Sequence, residues 1–254
     1  MIKKTIRSFF RKLGYDVVPY NGKPSRIPLD FDEQNIEIIN TIKPYTITGY
    51  ERIYSLIESV RYILHNDIKG DFIECGVFKG GSMMAIALTL LDEGIKDREL
   101  YLFDTFEGMP IPGEKDIDLK GRPAIKKYLK KKISDTKTSW VNASLKSVKN
   151  TMALTGYPMD KVHFVKGLVE NTIPKKAPDT IALLRLDTDW YKSTIHEMIH
   201  LYPRVSPKGI LIVDDYGHFK GAREAVDEFF KKNKMAPFLH RIDYTGRLII
   251  KEGT

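Results

Sequence analysis

Apolar and polar residues recur along this chain with two different periods, and the switches between them mark out its elements. From Gly49 the apolar positions Ile53, Leu56, Ile57, Val60, Ile63 and Leu64 return every three or four residues, which predicts an amphipathic helix running to His65 and closed by Gly70. Short apolar runs follow at Phe72–Cys75, Leu100–Phe103, Val162–Val165, Ile181–Leu186 and Ile210–Val213. Runs of that length, rich in branched and aromatic residues, read as buried strands. Helical patterns begin at Ser82, Ser193 and Ala222. This alternation predicts an α/β fold with a largely parallel sheet covered by helices on both faces. Two last strands, Phe238–Ile242 and Arg247–Ile250, flank Thr245-Gly246 and predict a hairpin that adds an antiparallel edge.

Residues 1–48 read as an extension. It comprises a basic amphipathic helix with Ile6, Phe9, Phe10 and Leu13 on one face, a connector from Pro19 to Pro28, and irregular chain through Pro44. Residues 49–254 form the main domain, with a basic insertion at about 110–148. A 254-residue chain with 42% hydrophobic residues can bury one large core, so a single decorated domain is expected.

Charge and cysteine usage narrow the setting. The single cysteine, Cys75, lies inside an apolar strand, so no intrachain disulfide can form; a cytoplasmic home is expected, with Cys75 acting as a small core hydrophobe. The stretch from Met83 to Leu91 is too short to span a bilayer, and the cationic amino terminus lacks the apolar run of a secretory signal. A net charge of +8 favours anionic partners. No zinc-finger spacing or RNA-recognition signature accompanies it, so no nucleic-acid polymer is expected. Much of the excess sits in Lys115–Lys149, where Lys126, Lys127 and Lys130 make either a solvated face or a lid that grips phosphates.

Candidate chemistry lies where the strands end. Leu184-Arg185-Leu186-Asp187-Thr188-Asp189-Trp190-Tyr191 and Ile212-Val213-Asp214-Asp215-Tyr216-Gly217 are apolar runs that stop abruptly in carboxylates, as expected at the crevice outside the carboxyl ends of α/β strands. Carboxylates gathered there repel one another unless a cation or a shared proton compensates them, which points to a divalent metal plus a spare acid or base. If its strand persists, Asp187 and Asp189 face the same side, and Asp187, Asp214 and Asp215 can supply oxygen ligands to Mg²⁺.

A second constellation concerns a cofactor. Glu74-Cys75-Gly76-Val77-Phe78-Lys79-Gly80-Gly81-Ser82 leaves a strand and opens a helix, where a glycine-rich turn lets a ligand approach backbone N–H groups. It is not the G-x-G-x-x-G of dinucleotide sites, which disfavours NAD. Asp104 ends the next strand, where a carboxylate accepts hydrogen bonds from ribose hydroxyls. A nucleoside-bearing cofactor with little phosphate, S-adenosylmethionine, suits both. A competing pattern, His196-Glu197-Met198-Ile199-His200, matches the H-E-x-x-H zinc-protease motif, with Glu224 as a nominal third ligand. It sits on a crossover helix with no other sign of a protease cleft, and its histidines read as surface or interhelical residues.

Those motifs, with Tyr45-Thr46-Ile47-Thr48-Gly49-Tyr50-Glu51-Arg52 and Phe103-Asp104-Thr105-Phe106-Glu107-Gly108-Met109-Pro110, resemble the macrocin O-methyltransferase family over roughly residues 44–250. The resemblance implies a class I, Rossmann-like S-adenosylmethionine-dependent methyltransferase with a mostly parallel seven-stranded sheet, N-terminal helices and a lid insertion. It implies cofactor contacts from Glu74, Gly76, Phe78, Lys79, Gly80, Gly81, Ser82, Asp104 and Thr105, with Thr48 and Arg52 closing over the cofactor's carboxylate. It assigns Mg²⁺ to the same three aspartates and leaves Asp189 as general base. The implied acceptor is a sugar hydroxyl; the basic segment favours a nucleotide-linked sugar, for example of surface polysaccharide, beside a glycosylated natural product, with Tyr191, His218, Lys126, Lys127 and Lys130 as candidate acceptor contacts. Two alternatives are a catechol-type O-methyltransferase and a non-catalytic binding subunit. A homo-oligomer, most simply a dimer, is expected.

Overall fold

Strand residues of alternating direction feed two separate apolar cores, and this alternation fixes the layers. The computed structural model describes residues 28–253. The chain divides into two compact units, Met1–Asp32 and Glu33–Thr254, and the elements below belong to the second. The expected amino-terminal helix and all but the end of its connector lie outside the described residues. In order come α1 (Glu33–Ile42), α2 (Tyr50–His65), β1 (Asp71–Cys75), α3 (Gly81–Asp92), β2 (Leu100–Asp104), α4 (Ile125–Lys131), α5 (Leu145–Ala153), β3 (Val162–Lys166), α6 (Val169–Thr172), β4 (Ile181–Leu186), α7 (Tyr191–His200), β5 (Val205–Val213), α8 (Lys220–Lys232), β6 (His240–Arg241) and β7 (Arg247–Ile250).

The seven strands form one sheet in the order β3-β2-β1-β4-β5-β7-β6, parallel from β3 through β5 and antiparallel at β5-β7 and β7-β6. Phe72, Leu102 and Ile212 face a core shared with α1, α2 and α3. Their neighbours Ile73, Phe103 and Leu211 face the opposite core, with Met198 of α7 and Phe229 and Phe230 of α8. The order reverses between β1 and β4, so the carboxyl ends of those two strands open the crevice in which α/β sheets bind ligands. Among the described residues, no helix is long and apolar enough to cross a membrane.

Several boundaries depart from the sequence pattern. The chain expected to be irregular before Pro44 forms α1, which buries Ile38 and Ile42, one turn apart, against α3. Helices α7 and α8 start at Tyr191 and Lys220, two residues before the apolar periodicity begins, because their first turns carry polar side chains. β5 reaches back to Val205 through Pro207 and the positive-φ Lys208, residues that mask a strand. The strand expected at Phe238–Ile242 shrinks to His240–Arg241, an exposed edge on which Phe238 faces solvent.

The insertion after β2 carries its own small core. Trp140, Tyr128 and Ala124 pack on Trp190, Phe219 and Ala222. Asp116 is buried here: its Oδ1 accepts from the Tyr191 amide (2.8 Å) and its Oδ2 from the Gly113 amide (2.6 Å). Gly221 has no room for a side chain, since a Cβ there would come within 2.0 Å of Asp116 Oδ1. These contacts seat the insertion over the carboxyl edge of the sheet.

Candidate active site

A cavity of about 320 Å³ runs along that edge. Glu74, the Gly76–Phe78 turn, Ser82, Asp104 and Thr105 line one part, and Asp187, Thr188, Asp189, Asp214, Asp215 and His218 another. Thr48, Arg52, Lys127 and Trp140 also border it.

At the turn end, the Asp104 carboxylate is already held by main chain. Its Oδ2 accepts from the amides of Val77 (2.7 Å) and Phe78 (3.1 Å), and its Oδ1 from the amide of Phe106 (2.7 Å). Burial raises the pKa of Asp104, and those N–H groups pull it back down. Asp104 therefore fixes the glycine-rich turn from the end of the adjacent strand β2. Gly76, at φ 86°, lets that turn touch the neighbouring strand end, since a Cβ there would fall 2.0 Å from the Asp187 carbonyl oxygen. Gly81 likewise makes room for Tyr45 and Thr46. The glycines thus serve close packing of this chain against itself as well as an open turn.

At the carboxylate end, β4 stops at Leu186, so Asp187 and Asp189 are not brought together by strand pleat. Instead the Asp187 amide still donates to Cys75 O (2.8 Å), and a tight turn closed by Trp190 N–H to Thr188 O (2.7 Å) holds Asp189 at φ 64°. A non-glycine residue in that conformation costs of order 1–3 kcal/mol and persists only where surrounding structure fixes it. The fixing contact is Glu197 of α7, whose two carboxyl oxygens accept from the Thr188 hydroxyl at 3.0 and 3.1 Å. Glu197 is fully buried, and burial pushes its pKa up to about 8, with Thr188 opposing the shift and Glu170 and Asp187 reinforcing it. His196, by contrast, meets the Ile173 carbonyl oxygen (3.1 Å), and Glu224 pairs with Lys115 (2.7 Å), so the H-E-x-x-H pattern gathers no zinc ligands.

Arg185 is the residue to which the sequence pattern assigns no role. Its guanidinium is buried and bonds Glu74 and Asp214 by short contacts and Asp187 at 2.7 Å. Arg52 adds a second guanidinium, bonded to Asp214 and, at 3.0 Å, to Asp243. The signal was available: an arginine between leucines in a buried strand must have anionic partners. Burial still pushes Glu74 up to about 7 despite Arg185. Asp187 is also raised, first by removal from water, with Arg185 opposing and Asp214 and Asp215 reinforcing.

Ligand oxygens of Asp187, Asp214 and Asp215 lie within 4.8 Å of one another, the one such group of three found among the described residues. Asp215 Oδ2 is buried without a hydrogen-bond donor among the described residues. Its neighbours are carboxylates: burial, the largest cause, pushes the pKa of Asp189 up to about 7, and burial together with the nearby Asp189 raises that of Asp215. Such an arrangement needs a proton or a cation, and its hard oxygen donors fit a divalent ion such as Mg²⁺. Glu74 Oε2, buried and likewise without a bonded partner among the described residues, gives the turn end an anionic acceptor suited to a cationic amino group.

The remaining expected residues separate. His218 borders the cavity, its Nδ1 3.2 Å from the Tyr244 hydroxyl, and burial lowers its pKa. Lys127 stands over the Trp140 ring at 4.2 Å, at the cavity's edge, whereas Lys126 and Lys130 do not line it. Tyr191 does not line it either: its hydroxyl donates to Glu228 (2.6 Å) and its ring lies under Lys115. Lys79 and Gly80 belong to the turn without lining the cavity.

Comparison with known proteins gives this geometry its family. Residues 35–251 match the family described as macrocin O-methyltransferase (TylF). Demethyldecarbamoylnovobiocin O-methyltransferase of Streptomyces niveus is 30% identical over 202 residues, covering 80% of this chain and 74% of its own. Mycinamicin III 3''-O-methyltransferase of Micromonospora griseorubida is also 30% identical over 202 residues, with 80% and 76% covered. Among solved structures, the O-methyltransferase NovP is similar with a TM-score of 0.72 at 30% identity, covering 82% of this chain and 83% of that one. The calicheamicin methyltransferase CalS11 shares the fold, with a TM-score of 0.61 at 16% identity over 93% of this chain and 98% of that one. The chain belongs to the macrocin O-methyltransferase family and is an O-methyltransferase with the fold of S-adenosylmethionine-dependent enzymes.

Proposed function

We propose that this enzyme transfers a methyl group from S-adenosylmethionine to a sugar hydroxyl, with Mg²⁺ held by Asp187, Asp214 and Asp215. The observation that carries the reading is the convergence of those three carboxylates with Asp189 in the same cavity as the Glu74–Ser82 turn and Asp104. When bound, the cofactor supplies a methyl group on a sulfonium sulfur, and the metal supplies a Lewis acid that favours ionisation of a hydroxyl. Transfer would form an oxygen–methyl bond at the expense of the sulfur–methyl bond, and Asp189 would take the hydroxyl proton. Asp189 is set for this by the Thr188 turn, which Glu197 holds from behind. Glu74, Gly76, Phe78, Gly81 and Ser82 enclose the methionine part, Lys79 and Gly80 shape the turn, and Asp104 and Thr105 take the ribose. Thr48 and Arg52 meet the cofactor's carboxylate, Arg52 also tethering Asp214. Placing both reactants along one cavity contributes much of the acceleration.

The sugar assignment draws on the relatives' names. A third relative, from Streptomyces olivaceus and 27% identical over 249 residues, is named as a 4'-O-methyltransferase of a rhamnosyl tetracenomycin. His218 and Lys127 line the cavity and would meet the acceptor, a nucleotide-linked sugar or a glycoside. The test is formation of S-adenosylhomocysteine with panels of nucleotide sugars, glycosides and catechols, with and without Mg²⁺. Turnover of a sugar acceptor that needs the metal is expected; methylation of catechols alone would replace this reading with the aromatic one.

A further inference from the structure

Beside the cavity, and joined to it through His218 and Phe219, lies a second recess of about 340 Å³ whose charge is opposite. Lys220, Arg223 and Arg247 line it. Tyr216 forms a rigid wall: its hydroxyl donates to Asp227 (2.6 Å), and the guanidiniums of Arg223 and Arg247 lie over its ring at 5.7 and 5.0 Å. The single acid in the lining, Asp118, is already satisfied by Arg122 at 2.6 Å and by the amides of Lys120 and Arg122, which hold its pKa down at about 2. Arg223 has a weak partner in Asp227 at 3.5 Å, an acid shared with Tyr216. Arg247 bonds only the carbonyl oxygens of Gly246 (2.8 Å) and Asp243 (3.4 Å), with no carboxylate within ion-pair distance among the described residues. Burial, with the nearby Arg241, lowers its pKa.

We propose that this recess binds a diphosphate carried by the acceptor, so that the sugar attached to it reaches past His218 to Asp189. The inference rests on the sugar O-methyltransferase reading above and names its substrate class. The physical argument is the field. An anion is repelled by the carboxylate end of the cavity and attracted by paired guanidiniums, whose planar forks match phosphate oxygens. An acceptor with neutral hydroxyls at one end and a diphosphate at the other is therefore oriented before it docks. His218, common to the linings of both regions, stands between them and offers the sugar a hydrogen bond.

The test is calorimetry on the full-length protein with inorganic pyrophosphate, UDP and UDP-glucose, beside S-adenosylmethionine. The double variant R223Q/R247Q should lose at least tenfold in affinity for all three diphosphates and none for S-adenosylmethionine. R223K/R247K should recover part of the loss, and K126Q/K130Q should bind diphosphates as wild type does. Undiminished diphosphate binding by R223Q/R247Q, or no binding by wild type at millimolar concentration, overturns the proposal. Binding of pyrophosphate without UDP or UDP-glucose also overturns it, because the recess would then take a free anion only. These measurements involve no methyl transfer, so failure of the methyltransferase reading, seen as absent S-adenosylhomocysteine, is recorded separately.

Discussion

Glu74 and Arg185 stand opposite each other in register on adjacent parallel strands, both shut away from water and joined by a short ion pair. Arg185 also bonds Asp187 and Asp214, so one guanidinium lets three carboxylates share a buried strand edge. Replacing Arg185 by Met leaves Glu74 and Asp187 without their cation and Asp214 with Arg52 alone. Breaking a buried pair by removing one partner costs about 3–5 kcal/mol. Denaturant unfolding of Arg185→Met should show a loss of that size; a change within the few tenths typical of surface sites would mean that the network is not what allows the carboxylates to cluster.

Asp104 links the glycine-rich turn to the second strand through three backbone amides. Asp104→Asn keeps one carbonyl oxygen but loses the charge, and hydrogen bonds to charged groups contribute roughly 1.5–3 kcal/mol. Calorimetry should show S-adenosylmethionine binding at least tenfold more weakly, and melting should show a lower Tm because the turn itself is loosened. Unchanged affinity in a folded variant removes Asp104 from the cofactor site.

What the sequence makes legible follows from which forces act locally. The parallel strands and the carboxylates at their ends read directly, because burial on both faces gives apolar runs whose sudden end is visible. The path that unites Asp187 and Asp189 does not, since strand pleat was the expected cause and the actual one is a positive-φ turn anchored by Glu197. Glu197 was hidden inside a metal-like motif. Asp116 was hidden in the insertion, where its partner, the Tyr191 amide, is 75 residues away. Arg185, Asp116 and Asp243 all act through long-range contacts, which no local period reports.

Asp189 is the proposed base and is distinct from the three clustered aspartates. Asp189→Asn is nearly isosteric, so S-adenosylmethionine and Mg²⁺ affinities should be retained. Its kcat should fall by roughly 10²–10⁴-fold, the range for loss of a positioned acid or base. Near-normal turnover would hand the proton to another group, with His218 the first to test.

Mg²⁺ dependence has two readouts. Chelation should abolish turnover, and Mg²⁺ should restore it. Independently, a ligand that binds only the folded state stabilises it by about 2.7 kcal/mol at a concentration of 100 Kd. Mg²⁺ should therefore raise the Tm of the wild type and not that of Asp215→Asn. Full activity in chelated enzyme, or an equal Tm rise in the variant, would remove these aspartates from metal binding.

Glu197 makes stability depend on pH with a sign that can be worked out. Its folded pKa, about 8, lies above the ordinary carboxyl value of 4.5, so the folded state holds the proton more tightly than the unfolded state does. Stability from this group is therefore fully present below about pH 4.5 and is progressively lost as pH rises through about 8. Gln has the shape of the protonated acid and cannot ionise. The stability of Glu197→Gln relative to wild type should accordingly rise between pH 5 and pH 8.5, a range spanning most of that window. Denaturant unfolding at several pH values reads the difference directly. A wild-type-to-variant gap that stays constant across the range would show that Glu197 does not change its proton affinity on folding.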